Sequence, residues 1–244
     1  MLIIKAQIFI KNPEVVFGFS TKLGAGRTAP YYFNLSHSVG DVKNIVDENR
    51  EIFFNRLGLN SGNVALQRQV HGDEITYINE GGNCGESDAM ITSKKNLGLA
   101  ISTADCAAIF IYDKKQKVIA AVHSGWRGSR KRILEKTLVK LRDDFNSGPG
   151  DLLVYIAPSI SKKNYEVDKE VAGLFDKKYY SPWGDKFLLD ISRINYEILL
   201  DFGLNKKNIQ VSSLCSYGMT NLLHSYRRDG LNSGRALGVI AIVE

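Results

Sequence analysis

A chain of 244 residues with 44% hydrophobic and 24% charged residues has the balance of a folded globular protein and is too apolar for a disordered tail. Its net charge of +6 and pI near 9.1 favour anionic ligands, but the basic residues are scattered doublets such as Lys94-Lys95 and Lys177-Lys178, which speaks against a dedicated nucleic-acid binder. Three unclustered cysteines argue against a disulfide framework, and no apolar run is long enough to span a membrane, so a cytoplasmic protein is expected.

In chain order, residues 1–11 read as a strand broken by Lys5 and not as a signal peptide. Residues 15–19 form a second strand, and the Gly- and Thr-containing loop 20–27 is best read as ordinary surface. Asp41 is the expected N-cap of a helix carrying Val42, Ile45, Val46, Ile52, Phe53 and Leu57 on one face, with Gly58 as its stop. Residues 64–70 and 75–78 read as strands joined by a tight turn at 71–74, which puts His71 at a strand end. A Gly- and Asn-rich loop, 79–88, precedes a buried strand at 97–102. Residues 106–112 and 118–123 then form a hairpin with apolar residues on both faces, so it should be covered on both sides. A helix is expected over 129–145, a break at 147–150 and a strand at 152–156 ending before Pro158. A short helix ends near Phe175, and another is capped by Asp190 or Ser192 and stopped by Gly203. The last strands are 209–214 and 237–243. No repeat or linker divides the chain, so a single domain spanning 1–244 is expected, of the α+β class with a layered mixed sheet and helices.

The hairpin carries the chemistry. A four-residue loop at 113–116 sets Tyr112 opposite Lys117 and Cys106 opposite His123, with Cβ atoms about 4.5–5.5 Å apart. That spacing suits a shared metal ion or a Cys–His nucleophile pair, and a one-residue slip would separate the two. A buried cysteine is more often an inert small hydrophobe, and spacing alone leaves the two readings level. It does not assign His71. If His71, Cys106 and His123 converge, they form a zinc donor set with the fourth position open. Arg227, Arg228 and Arg235 fall within nine residues. They suit two-point binding of phosphate or carboxylate, or equally a structural network around Asp229. Trp126-Arg127 is a candidate stacking or anion pair, while Cys84, Cys215, His37 and His224 read as structural.

The motifs Gly18-Phe-Ser-Thr21, Gln69-Val-His-Gly72, Asp88-Ala89, Thr103-Ala-Asp-Cys106, His123-Ser-Gly-Trp-Arg-Gly128, Tyr165-Glu-Val167, Leu189-Asp190 and Ser225-Tyr-Arg-Arg-Asp-Gly230 together resemble the YfiH-type family. That family was long labelled a multicopper polyphenol oxidase or laccase and is now described as purine nucleoside phosphorylases. The resemblance implies a catalytic metal triad of His71, Cys106 and His123, holding zinc, with copper as second choice. It implies phosphorolysis of adenosine, inosine and methylthioadenosine, deamination of adenosine, and a layered α+β fold shared with cysteine-dependent deamidase toxins. Lys22 stands where the family usually has Arg, Lys162-Lys163-Asn164 where it often has cysteines, and Leu223-His224 where a Phe pair is common.

On this reading Lys22, Arg127 and Arg228 hold phosphate, and Asp88, Asp105 and Glu166 are candidates for the general acid. The partners are a purine nucleoside and phosphate, without nucleic acid or membrane, and the protein is a monomer or weak homo-oligomer. The competing readings are a metal-free cysteine hydrolase using Cys106 and His123, a multicopper oxidase, for which four histidines are too few, and a non-catalytic nucleic-acid-binding module.

Overall fold

Apolar residues on both faces of a hairpin require cover on each side, and the fold provides it. The computed structural model describes all 244 residues. In chain order the elements are β1 (Ile3–Ile4), β2 (Val15–Ser20), α1 (Lys43–Asn55), β3 (Val64–Arg68), β4 (Ile75–Tyr77), β5 (Gly82–Glu86), β6 (Ala89–Thr92), β7 (Leu97–Thr103), β8 (Ala107–Asp113) and β9 (Val118–Ser124). They continue with α2 (Trp126–Arg130), α3 (Ile133–Phe145), β10 (Leu152–Ile156), β11 (Glu166–Val167), α4 (Lys169–Ala172), β12 (Tyr180–Trp183), β13 (Lys186–Leu189), α5 (Ile191–Asp201), β14 (Ile209–Val211), α6 (Tyr226–Asp229) and β15 (Ala236–Ile242).

The strands build two six-stranded mixed sheets, ordered β1-β2-β15-β7-β3-β5 and β14-β10-β8-β9-β6-β4, and a small antiparallel sheet β11-β13-β12. The sheets face one another across a core that includes Phe17 and Phe19 from β2, Ile101 from β7, Phe110 and Tyr112 from β8, and Ile119 and Ala121 from β9. The other face of the second sheet, with Ile109, Ile111, Ala120 and Val122, packs on Leu134, Leu138 and Leu141 of α3 and Ile194 and Ile198 of α5. The other face of the first sheet packs on Phe53 and Phe54 of α1. The result is an α+β fold of four layers. Each fully buried Leu, Ile or Phe contributes about 1.5–3 kcal/mol.

Several expectations shift. The N-terminal strand shrinks to Ile3–Ile4, and a 3-10 turn, Gln7–Phe9, follows it. Helix α1 starts at Lys43 with no side-chain cap. The Asp41 carboxylate instead accepts from the Val42 N–H and the Asn34 amide. Val42 and Ile52 point outward, and Asn49 and Phe54 take their places inside. Asp190 does cap α5, accepting from the Arg193 N–H at 3.0 Å, worth about 1 kcal/mol.

The helix expected over 129–145 is two helices, because Arg132 takes a left-handed conformation at φ 58°. Ser129 at the end of α2 is held in a buried network with Ser124 and Asn195, so the chain must turn before α3 can lie on the sheet.

The hairpin register also differs. Asp113 pairs with Val118, Tyr112 with Ile119 and Ala108 with His123. The Asp113 carboxylate accepts from the Lys115 and Gln116 N–H groups, and Lys117 is left-handed at φ 54°. This turn moves the loop one residue along and the register by two. An even shift preserves the faces, so the division of apolar side chains stands while Cys106 no longer lies directly opposite His123.

The most consequential difference lies at residues 69–74. Strands β3 and β4 are not a hairpin. β3 belongs to the first sheet and β4 to the second, so the turn crosses between them. Residues 104–106 make the same crossing from β7 to β8.

Candidate metal centre

Those two crossovers bring His71 and Cys106 to the same edge of the sandwich, where β9 delivers His123. The three donor atoms lie within 4.8 Å of one another, and the two imidazole rings are 4.9 Å apart at 80°. Substituted for Gly125, any residue with a Cβ would come 2.8 Å from the Cys106 Sγ and 3.4 Å from the His71 Cδ2. Only glycine lets β9 turn away so close to the thiol.

Asp88 holds the arrangement. Its fully buried carboxylate accepts from the backbone N–H groups of Val70 (3.2 Å), His71 (3.1 Å) and Gly72 (2.6 Å). These bonds fix a turn in which His71 is left-handed at φ 56°. The same carboxylate meets His123 Nδ1 at 2.7 Å, while the Asp88 carbonyl accepts from the His123 N–H. One side chain thus positions two of the three donors. A carboxylate on Nδ1 turns Nε2 toward the thiol and raises its basicity, as in histidines that ligate metals.

Asp105, at φ 95°, plays the corresponding part for Cys106. Its carboxylate accepts from the Ser216 hydroxyl (2.5 Å) and the Arg227 N–H (2.7 Å), and the Thr103 hydroxyl donates to the Cys106 carbonyl at 2.6 Å.

Burial opposes charge on both members of the Cys106–His123 pair. The hydrogen bonds and charges of His123 and His71 outweigh it and hold the thiol below its usual range. Asp88 and the thiol together hold His123 above the ordinary imidazole value. The donor set of two nitrogens and one readily ionised sulfur, with an orienting carboxylate behind one imidazole, fits zinc.

The centre opens on a cavity of about 580 Å³, lined by His71, Cys106 and His123 together with Ser36, Ser38, Gln67, Arg68, Tyr226 and Arg235, and by no aspartate or glutamate. Lys22, Arg127 and Arg228 are not part of its wall. The Lys22 Nζ sits 4.1 Å over the Tyr32 ring, and the exposed Arg127 stacks on Trp126. Arg228 donates to the carbonyls of Ser216, Tyr217 and Leu223 and to the Asp229 carboxylate, which leaves no fork for a ligand. Asp88 and Asp105 are occupied as described, and Glu166 also lies off the cavity. Gln67, Ser36, Ser38 and Tyr226 were not singled out by sequence reasoning. They come from three distant segments, around residues 36–38, 67 and 226, and only the structure brings these together.

A family model described as multi-copper polyphenol oxidoreductase laccase matches residues 16–243. The chain belongs to this family. Among its curated relatives, purine nucleoside phosphorylase YlmD of Bacillus subtilis (strain 168) is 30% identical, covering 98% of this chain and 92% of that protein. Purine nucleoside phosphorylase YfiH of Escherichia coli (strain K12) is 31% identical, with 92% of each chain covered. The solved structure of YlmD from Geobacillus stearothermophilus superposes with a TM-score of 0.91 at 26% identity, covering 98% of this chain and 94% of that one. The hypothetical protein YfiH of Bacillus licheniformis gives 0.90 at 25%, covering 94% and 93%. The copper in the family's description has one three-residue donor group to go to here. Of the other two histidines, His37 pairs with Asp47 and His224 is buried against the Phe33 carbonyl. No helix is long and apolar enough to cross a membrane.

Proposed function

We propose that the protein is a zinc-dependent purine nucleoside phosphorylase acting on adenosine, inosine and methylthioadenosine, with hydrolytic deamination of adenosine as a second activity. The observation that carries this is the convergence of His71, Cys106 and His123 on a carboxylate-free cavity, in a chain 30% and 31% identical to two purine nucleoside phosphorylases over 92% of the length of each. His71, Cys106 and His123 are the residues that would hold the metal, which supplies a Lewis acid and an acidified water.

In phosphorolysis an oxygen of hydrogen phosphate bonds to the ribose C1′ and the bond from C1′ to the purine nitrogen breaks. The electron pair leaves with the base, and the proton carried by the phosphate ends on a base nitrogen. In deamination, water replaces the C6 amine and ammonia leaves. The chain's contribution is to bind and orient. The cavity is large enough for a nucleoside. The Gln67 carboxamide meets the Ser87 hydroxyl through its oxygen, and its buried nitrogen has no partner.

Elemental analysis of purified protein, paired with product detection after incubation with adenosine or inosine and orthophosphate, tests the reading. One zinc per chain with ribose 1-phosphate and free base is the expected result. No product from any purine nucleoside overturns it.

The depressed Cys106 thiol beside a raised His123 also suits a metal-free cysteine hydrolase, with Cys106 as nucleophile and His123 as its base. That reading requires full activity in chelator and irreversible loss on thiol alkylation.

A further inference from the structure

Of the three arginines at 227, 228 and 235, two are used up by the fold. Arg228 is surrounded by carbonyls and Asp229. Arg227 donates from its backbone to Asp105 and from its guanidinium to the Glu166 carbonyl. Arg235 differs. Its Nη1 is anchored on the carbonyls of Ser233 (2.7 Å) and Gly234 (3.1 Å), its guanidinium lies 5.2 Å from the Tyr226 ring, and the remaining donors of the fork have no partner in the protein while the residue lines the cavity. The other arginine on that wall, Arg68, is already paired with Glu86.

Two hydroxyls sit on the same stretch of wall. Ser36 and Ser38 share a hydrogen bond at 2.9 Å, and both line the cavity. The Asn34 side-chain oxygen accepts from the Ser36 N–H (3.1 Å) and from the Arg235 N–H (2.9 Å), and the Arg235 carbonyl accepts from the Leu35 N–H at 3.1 Å. The serine segment and the arginine are thereby clamped as one unit. A fixed guanidinium fork beside two hydroxyls, in a cavity without a carboxylate, is a site for a tetrahedral oxyanion.

We propose that Arg235, with the Ser36–Ser38 hydroxyl pair, forms the orthophosphate subsite of this cavity. The assignment rests on the phosphorylase reading above and moves the phosphate from Lys22, Arg127 and Arg228 to a residue on the same wall as Cys106 and His123. An orthophosphate held there would share the cavity with the donor triad.

Calorimetric titration of the purified holoenzyme with orthophosphate, repeated for Arg235→Gln and Arg235→Lys, is the test. Binding by the parent protein is expected to weaken at least about 10-fold in Arg235→Gln. Arg235→Lys, which keeps the charge and loses the fork, is expected to fall between them. Zinc content and melting temperature should stay at parental values, and the KM for phosphate should rise with the KM for nucleoside unchanged. Orthophosphate binding that is absent in the parent, or equally tight in Arg235→Gln, overturns the subsite. So does a variant that loses binding of a nucleoside 5′-monophosphate while keeping orthophosphate, since the cation then serves a nucleotide's phosphoryl group. Titration reads the subsite even if no nucleoside is cleaved, so failure of the phosphorylase reading and failure of the subsite are seen separately.

Discussion

Two of the three cysteines, Cys106 and Cys215, carry thiols held below the usual range, and they get there by different routes. At Cys215 burial is outweighed by neutral donors: the Ser161 N–H (3.3 Å), the Ser161 hydroxyl (3.1 Å) and the Asn164 amide (3.2 Å). At Cys106 it is outweighed by two imidazoles. Amides and hydroxyls of this kind only solvate a thiolate, whereas imidazoles can also share a metal or take a proton. Cys215 also lies off the cavity wall that Cys106 helps to form. A lowered thiol pKa is therefore a poor marker of chemistry by itself, and the identity of the donors is the informative part.

The contrast breaks most visibly in metal content. On the proposed function, Cys106→Ala or His71→Ala should lose zinc binding and at least about 100-fold in nucleoside turnover, more than an orienting residue costs. Cys215→Ala should keep both. Elemental analysis beside a turnover assay decides, and a metal-replete Cys106→Ala removes the distinction.

A step smaller is Asp88→Asn. An amide can still accept from the turn but offers His123 Nδ1 a donor, so the ring loses its orientation. Zinc affinity, read by competition with a chromogenic chelator, should fall roughly 10- to 100-fold.

The third effect is in pH. In chelated protein, His123→Ala removes the strongest influences opposing burial at Cys106. The midpoint of its alkylation-rate profile should then climb toward or beyond the usual 9.0, while that of Cys215 stays where it is. A fall at Cys106 would contradict the assigned cause.

Smallest is Cys215→Ser. The hydroxyl keeps the three donors occupied, and the melting temperature should move by no more than a surface substitution would, about 0.5 kcal/mol equivalent. Calorimetry checks it.

The sequence carried the periodicities well and the connections poorly. The alternation on β8 and β9 put Ala107 and Ile109 on one face and Ala108 and Phe110 on the other, as found, because side-chain direction is a local property. The register between those strands was off by two because the Asp113 carboxylate closes the turn. His123 was placed at a strand end, where it is, but His71 lies three residues past the end of β3, and the turn there looked like a hairpin and is a passage between sheets. Nothing within ten residues distinguishes the two. The grouping of His71, Cys106 and His123 came from the family resemblance of the Gln-Val-His-Gly, Ala-Asp-Cys and His-Ser-Gly-Trp motifs, since spacing left His71 unassigned, and the three side chains do converge. The arginines misled because a guanidinium facing carbonyls and one facing a cavity have the same one-letter code. Which is which depends on residues as far as 201 positions away, as Asn34 and Arg235 illustrate.

Strand β15, the last in the chain, lies between β2 and β7 in the middle of the first sheet, and Arg235 immediately precedes it. Before β15 is made, β1 and β2 on one side and β7, β3 and β5 on the other therefore have no shared neighbour. Insertion of that one segment joins the two halves and sets the cavity's open cation in place in the same event. A chain halted at Gly230 would be left with two unmatched sheet edges and an incomplete cavity wall.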